Sequence, residues 1–378
     1  MRVVFLTHNY LGKPGDLSGA PLGLLARALI RRGLSVRVIT PGDGGGETEV
    51  DGVPVVRVRV ARSLLESVSS NERVAATLRS PVGWLALRRL RQAMGAAARQ
   101  EAASGADVLH AHAWLPAGLA APPGIPLVLT VYAADASLLR RSRIARRLAR
   151  PVLQRAAVVT AVSREVGNWV QAAAGRLVDP ARTHSMPADT RGYPWTRGGG
   201  GAVVISRLAP AKRVDLALET VAVLASYGHD LPLTVVGDGP ERAALEQRSQ
   251  RLGITALVRF VGARSAGDAR TYLERADLML FTARGEGVAR AAIEALACGV
   301  PVIANWDSGA AVDIVPESGP GRLTLPSPEA IADSILDLQA DPDLLAMGRL
   351  VGESWRARLA PDHVAELCEG WYRNALAG

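Results

Sequence analysis

Two glutamates, Glu286 and Glu294, stand with seven residues between them in the stretch ARGEGVARAAIEALACGVPVIA, residues 283–304. An apolar run of strand length at 278–282 precedes them, and another at 301–304 follows. The helix between them ends at Gly299, in the position that takes a left-handed glycine, with Val300 and Pro301 beyond. The pattern is strand–helix–strand. It puts the loop 284–288, with Glu286, at the carboxyl end of a parallel strand, where open α/β sheets bind ligands. From 291 to 298 Glu294 is the one charge on an otherwise core-like face. A carboxylate there is costly unless hydroxyls or N–H groups satisfy it, and a bound sugar or ribose brings hydroxyls. The other reading is a glutamate at the helix rim, paired with an arginine. Arg207 and Lys212, with four residues between them, occupy the first βα loop of the second half, beside a helix N-terminus. Two cations there can clamp a diphosphate, and a leaving diphosphate needs that charge most in the transition state.

Other residues invite chemistry with less support. His110 and His112 lie on one side of a strand, DVLHAH, at a spacing that can ligate metal, but no third ligand of suitable type is near in sequence. Asp341-Pro-Asp343 follows a helix and reads as a cap of the next, so no metal site is expected. Lysine is rare: of 44 basic residues only Lys13 and Lys212 are lysines. Each falls in a loop after the first strand of one half, and a compact ammonium suits phosphate. Between Arg140 and Arg150 six arginines are read onto a single helix with Ile144 and Leu148, and residues 79–91 form a similar Arg/Trp segment. One reading is docking on anionic membrane; the other is a solvated arginine face.

The elements that must position these residues follow from periodicity. At 378 residues the chain suits two α/β domains. The first opens with a buried strand at 2–8, a glycine-bearing loop at 9–19, an amphipathic helix near 20–32 ended by Gly33, and a strand at 35–40. It lacks both a P-loop and a clean G-x-G-x-x-G, so neither an ATP P-loop nor a standard NAD site is expected. The glycines at 42–46 read as a flexible loop into a hairpin at 50–60. Strands at 107–112, 126–132 and 157–163 follow, the last with Ser163 capping a helix at 164–173. Proline and glycine in YPWTRGGGG, residues 193–201, break the pattern, and strands then alternate with helices again. The net charge of +8 suits nucleic acid, anionic lipid or anionic small ligands alike, and of these no nucleic acid partner is expected. No apolar run reaches the ~20 residues of a spanning helix. With no signal-peptide pattern and two cysteines, the expectation is a cytoplasmic protein, peripheral to the inner face of the plasma membrane if the arginine segment docks.

The glutamate spacing, with the following Ala297-Cys298-Gly299-Val300-Pro301-Val302, resembles the E-x7-E signature of GT-B glycosyltransferases of family 4. Arg207 and Lys212 match its R-x4-K, Gly237-Asp238-Gly239-Pro240 its GDGP turn, and Phe260-Val261-Gly262 its F-x-G near the nucleobase. The resemblance spans nearly the whole chain and is specific from 206 to 314. It implies α/β architecture with two facing Rossmann-like, doubly wound domains and a cleft between them. Residues 1–193 are expected to bind acceptor and 194–360 nucleotide sugar, with a helix at 361–378 packing back on the first domain. It also implies a retaining transfer from a nucleotide diphosphate sugar, which acts as co-substrate with no further cofactor. Glu286 is then expected on the transferred sugar, Glu294 on the ribose, and Arg207 with Lys212 on the diphosphate.

Gly19, within Ser18-Gly19-Ala20, would face the donor phosphates, as would the backbone of Gly287, Val288 and Ala289. These three stand where the family usually reads GFG after its first glutamate. His110 and His112, in the family's D-x-x-H-x-H, are expected at the inner edge of the acceptor cleft. Tyr132 replaces the histidine of the family's T-x-H-G, which normally contacts donor sugar or phosphate. The turn N-G-V-D survives only as Pro187-Ala188-Asp189. Envelope glycolipid or polysaccharide precursors and small specialised metabolites both remain open as acceptors. So do a nucleotide-sugar 2-epimerase and a non-catalytic paralogue that binds nucleotide sugar or a partner transferase.

Overall fold

The run RVVFL has no polar side chain to turn toward water after Arg2, and it becomes the buried strand β1 (Arg2–Leu6) at the centre of a sheet. The computed structural model describes residues 1–10, 20–42, 44–60, 80–316 and 319–378. Lys13, Ser18, Gly19 and Arg79 lie outside the described residues. Two compact units are present: Met1–Asp189 with Arg358–Gly378, and Thr190–Ala357.

In the first unit β1 is joined by β2 (Ser35–Gly42), β3 (Gly46–Val50), β4 (Val53–Arg59), β5 (Val108–His112), β6 (Leu127–Val131) and β7 (Val158–Ala161). The order is β3-β4-β2-β1-β5-β6-β7, parallel except for the β3–β4 hairpin. That hairpin turns at Asp51-Gly52, where both residues have positive φ as a tight two-residue turn requires. Of the glycines read as a flexible loop, Gly42 ends β2 and Gly46 begins β3, so the hairpin starts at Gly46 rather than Val50. Helices α1 (Ala20–Arg31), α2 (Pro81–Ala103), α3 (Ala133–Arg141), α4 (Arg143–Arg155) and α5 (Arg164–Ala174) accompany the sheet. Ser163 caps α5, its Oγ accepting the Val166 N–H at 3.1 Å.

The single arginine helix expected over 140–150 is two helices. Ser142 is extended (φ −130°, ψ 118°), ends α3, and caps α4 by accepting the Ala145 N–H at 3.2 Å. A serine hydroxyl competes for backbone N–H groups and favours a cap over a helix interior. Ala145, Ala149, Val152 and Leu153 face inward, and Arg143, Arg147 and Arg150 are exposed.

In the second unit β8 (Ala202–Ile205), β9 (Leu233–Val236), β10 (Val258–Gly262), β11 (Leu278–Phe281), β12 (Val302–Asn305) and β13 (Gly321–Thr324) form a wholly parallel sheet. The order β10-β9-β8-β11-β12-β13 reverses direction between β8 and β11, the dinucleotide-fold order with its switch point there. Its helices are α6 (Val214–Ser226), α7 (Arg242–Arg251), α8 (Ala266–Leu273), α9 (Arg290–Ala297), α10 (Pro328–Gln339) and α11 (Leu344–Leu359). Leu216, Ala217, Val221 and Leu224 of α6 pack with Ile331, Ile335 and Leu338 of α10 in one aliphatic core.

The last helix, α12 (Pro361–Ala377), belongs to the first unit. Val364, Ala365, Cys368, Trp371, Tyr372 and Ala375 form a stripe at helical spacing that is buried in that unit's core. Among the described residues no helix is long and apolar enough to cross a membrane.

Candidate functional site

The two loops that leave the sheet at the switch point are stitched together by backbone-directed bonds. Thr282 Oγ1, just past β11, donates to the Lys212 carbonyl at 2.8 Å, and the Arg284 N–H donates to Ala211 O at 2.8 Å. Arg213 closes the junction. Its guanidinium donates to Thr282 O at 2.8 Å and bidentately to the Asp307 carboxylate at 2.9 and 2.6 Å. Arg213 does this from a left-handed backbone (φ 46°, ψ 48°), an uncommon place for a non-glycine residue. That strain is maintained by the fork geometry only arginine offers.

Glu286 is fixed from the other side. Its N–H donates to Ser308 O at 3.1 Å and its carbonyl accepts from the Ala310 N–H at 2.7 Å. Gly309 (φ 71°) lies against this segment so closely that a Cβ would meet the Glu286 carbonyl oxygen at 2.5 Å. The result is a 2.6 Å ion pair between Lys212 Nζ and Glu286 Oε1, each side chain 24% exposed. The pair borders a pocket of about 200 Å³, lined also by Ser206, Thr282, Val288 and Arg290 and floored by β8 and β11.

Arg207 lies at the same strand end but is exposed and does not line this pocket. Glu294 sits one turn along α9, with Arg270 Nε at 3.6 Å and Arg290 Nη2 at 3.7 Å. Its partners are thus the arginines that one reading of the sequence anticipated. Arg270 is itself stacked 4.3 Å over the Tyr193 ring. Gly237 (φ 142°) and Gly239 pass against the Ser206 and Leu208 carbonyls, where a Cβ on either would overlap backbone. Phe260 packs on the aliphatic core, and the Gly262 carbonyl accepts the Gly237 N–H at 3.0 Å. Val288 borders the pocket, Ala289 is buried at the start of α9, and Gly287 stands between Glu286 and Val288 in the same loop.

In the first unit, His110 is fully buried with both ring nitrogens engaged, Nδ1 with the Tyr372 hydroxyl and Nε2 with Thr130 Oγ1, each at 2.8 Å. Neither nitrogen is left for a ligand. His112 packs 4.1 Å from it, and its Nδ1 is hydrogen-bonded at 2.9 Å to the Tyr132 hydroxyl. Tyr132, where the family has histidine, spends its polar atom on this contact and lies 3.5 Å from Met186 Sδ. Burial holds both imidazoles neutral, His110 well below the usual range and His112 down to about 3. Asp135 accepts the N–H groups of Tyr132 (2.7 Å) and Trp114 (2.9 Å) and anchors the start of α3. Asp341 Oδ1 accepts the Asp343 N–H at 3.0 Å ahead of α11, and no metal-suited cluster occurs among the described residues.

Sequence reasoning missed Arg213, Asp307, Gly309 and Ser206. Gly309 alone carried a signal, as a glycine after Asp-Ser between a strand and the next turn.

A family model described as Glycosyl transferases group 1 matches residues 199–349, and one described as Glycosyltransferase Family 4 matches residues 22–187. A 2-deoxystreptamine glucosyltransferase of Streptomyces kanamyceticus is 26% identical, over 93% of this chain and 97% of the relative. Among solved structures, sucrose-phosphate synthase from Thermosynechococcus elongatus shares the fold with a TM-score of 0.71 at 18% identity, covering 100% of this chain and 99% of its own. Anabaena HepE in complex with UDP does so with a TM-score of 0.68 at 19% identity, covering 99% and 100%. Two parallel-sheet α/β units and these matches define a GT-B glycosyltransferase. With its two halves matching these two glycosyltransferase models, the chain is a family 4-like glycosyltransferase.

Proposed function

We propose that this glycosyltransferase moves a sugar from a nucleoside diphosphate sugar to an acceptor hydroxyl with retention of anomeric configuration. The observation that carries the reading is the Lys212–Glu286 pair in a pocket at the switch point of a dinucleotide-fold sheet. Lys212 holds the diphosphate and neutralises the charge that develops as it leaves. Arg207 adds charge from the exposed side of the loop. Glu286 supports the transferred sugar, Glu294 the ribose, and the glycine turn at 237–239 lets the backbone come close to the nucleotide. No covalent nucleophile is assigned. The leaving phosphate takes the acceptor proton on the same face, and no metal is required because the cations of the chain supply the charge.

For the acceptor we favour a small polyhydroxylated molecule, because a relative that matches over 93% of this chain is named a 2-deoxystreptamine glucosyltransferase. A lipid-linked acceptor is the second reading. It is supported by apolar side chains exposed beside arginines: Val82 (76%) and Leu85 on α2, and Ile144 (51%) on α4. The test is incubation of the purified protein with UDP-, GDP- and ADP-sugars, with and without 2-deoxystreptamine and a phosphatidylinositol acceptor, with products separated by mass. Transfer insensitive to EDTA is expected. Sugar release or rearrangement that never depends on an acceptor, or activity that EDTA abolishes and Mg²⁺ restores, overturns the reading.

A further inference from the structure

Ser206 Oγ is buried and has no hydrogen-bond partner among the described residues. It stands just beyond β8, at the switch point, and lines the pocket with Lys212 and Glu286. The backbone holds it in place. Its N–H donates to Val236 O at 3.0 Å, and its carbonyl lies so near Gly237 that any Cβ there would overlap it. A buried hydroxyl with neither its donor nor its acceptor used gives up hydrogen bonds to water and gains none in return. Alanine at this position would avoid that loss, so the hydroxyl weakens the fold where it stands.

The rest of the lining narrows what the hydroxyl can meet. Thr282 Oγ1 is committed to the Lys212 carbonyl, and the Glu286 carboxylate to the Lys212 ammonium. Lysine supplies charge without direction, because its ammonium rotates on a flexible stem. A hydroxyl anchored to the end of a strand supplies direction.

We propose that Ser206 is a further ligand-binding residue of this pocket, its O–H donating to a phosphate oxygen of the nucleoside diphosphate. The inference rests on the donor class proposed above. Ser206 and Lys212 bracket the same anion, the serine setting its orientation and the lysine its charge.

Calorimetry with UDP, GDP, ADP and inorganic pyrophosphate tests this on wild type and Ser206→Ala, alongside thermal denaturation without ligand. The wild type is expected to bind at least one of the nucleoside diphosphates. Ser206→Ala should bind that diphosphate, and pyrophosphate, about tenfold more weakly, as befits a hydrogen bond to a charged group. Its Tm should equal or exceed that of the wild type, because no protein contact is lost. Equal affinity in the two proteins overturns the role of Ser206 and leaves the donor class standing. A clearly lowered Tm accompanying the weaker binding also overturns it, by making the hydroxyl structural. Failure of the wild type to bind any of the three diphosphates overturns both proposals together.

Discussion

The 2.6 Å contact between Lys212 and Glu286 makes the carboxylate a rival of any anion for the same ammonium. Removing the ammonium should therefore cost most. Lys212→Ala is expected to lower kcat/KM by about two to three decades, the effect of deleting one preorganised contact to a transition-state charge. Arg207 is exposed and screened, so Arg207→Ala should cost about one decade or less. Equal and slight effects in both would remove the cation clamp. The two glutamates should separate as well. Glu286→Gln releases Lys212, so affinity for the bare nucleoside diphosphate should hold or rise while sugar transfer falls. Glu294→Gln lies away from the pair and loosens Arg270 and Arg290, so it should weaken diphosphate binding and raise the donor KM. Calorimetry alongside steady-state kinetics reads both, and parallel losses of diphosphate affinity in the two variants would contradict these roles.

At the scale of elements, the site depends on loops that pass within backbone contact of one another. Gly237 is the tightest such point, and its φ of 142° is closed to side-chain-bearing residues. Gly237→Ala should destabilise the second unit by more than about 2 kcal/mol, through strain and displacement of the Ser206 carbonyl. Urea unfolding would reveal it, and a wild-type midpoint would show that the turn relaxes freely. The arginine helices pose a different question. Ser142 divides them, and α4 presents Arg143, Arg147 and Arg150 with Ile144 to solvent. If this face docks on anionic lipid, phosphatidylglycerol vesicles should sediment the protein at low salt. Charge reversal of those three arginines should then release it, at about 1 kcal/mol per residue. Sedimentation that ignores both salt and the substitutions would mark the face as merely solvated.

For the whole molecule, the first unit's core contains imidazoles that burial keeps neutral: His110, His112 (about 3) and His184 (about 4). Each binds a proton near 6.5 once unfolded but not while folded, so the stability present above pH 6.5 is lost as pH falls. The loss is about 1.4 kcal/mol per pH unit for each ring. Asp135, pushed up to about 7 by burial against its backbone N–H donors, works in the opposite sense, since it takes up a proton in the folded protein first. Burial lowers His8 as well, and four groups against one decide the sign. The Tm should drop between pH 7.5 and 5, and His112→Gln should flatten that drop; a Tm that rises toward pH 5 would mean that the aspartate dominates.

Apolar runs, glycine stops and the E-x7-E and R-x4-K spacings are local in the chain, so the βα alternation, the doubly wound second domain and the resemblance to family 4 were legible in the residues alone. The same locality exposed Glu286 and Lys212 as candidates. Only the tertiary structure decided that these two side chains touch, 74 residues apart in sequence. It alone revealed Arg213 and Asp307 as the clasp behind them, and Gly309 as the residue that makes room for Glu286. The split at Ser142 was also hidden, since serine at that position is consistent with either a helix interior or a cap until packing chooses. His110 and Tyr372 make the general point. Periodicity assigned each to its own element, but a hydrogen bond across 262 residues exists only once α12 lies on the first sheet. Spacing reports what one element can present; which polar atoms are then used up on one another is settled by packing between elements distant in the chain.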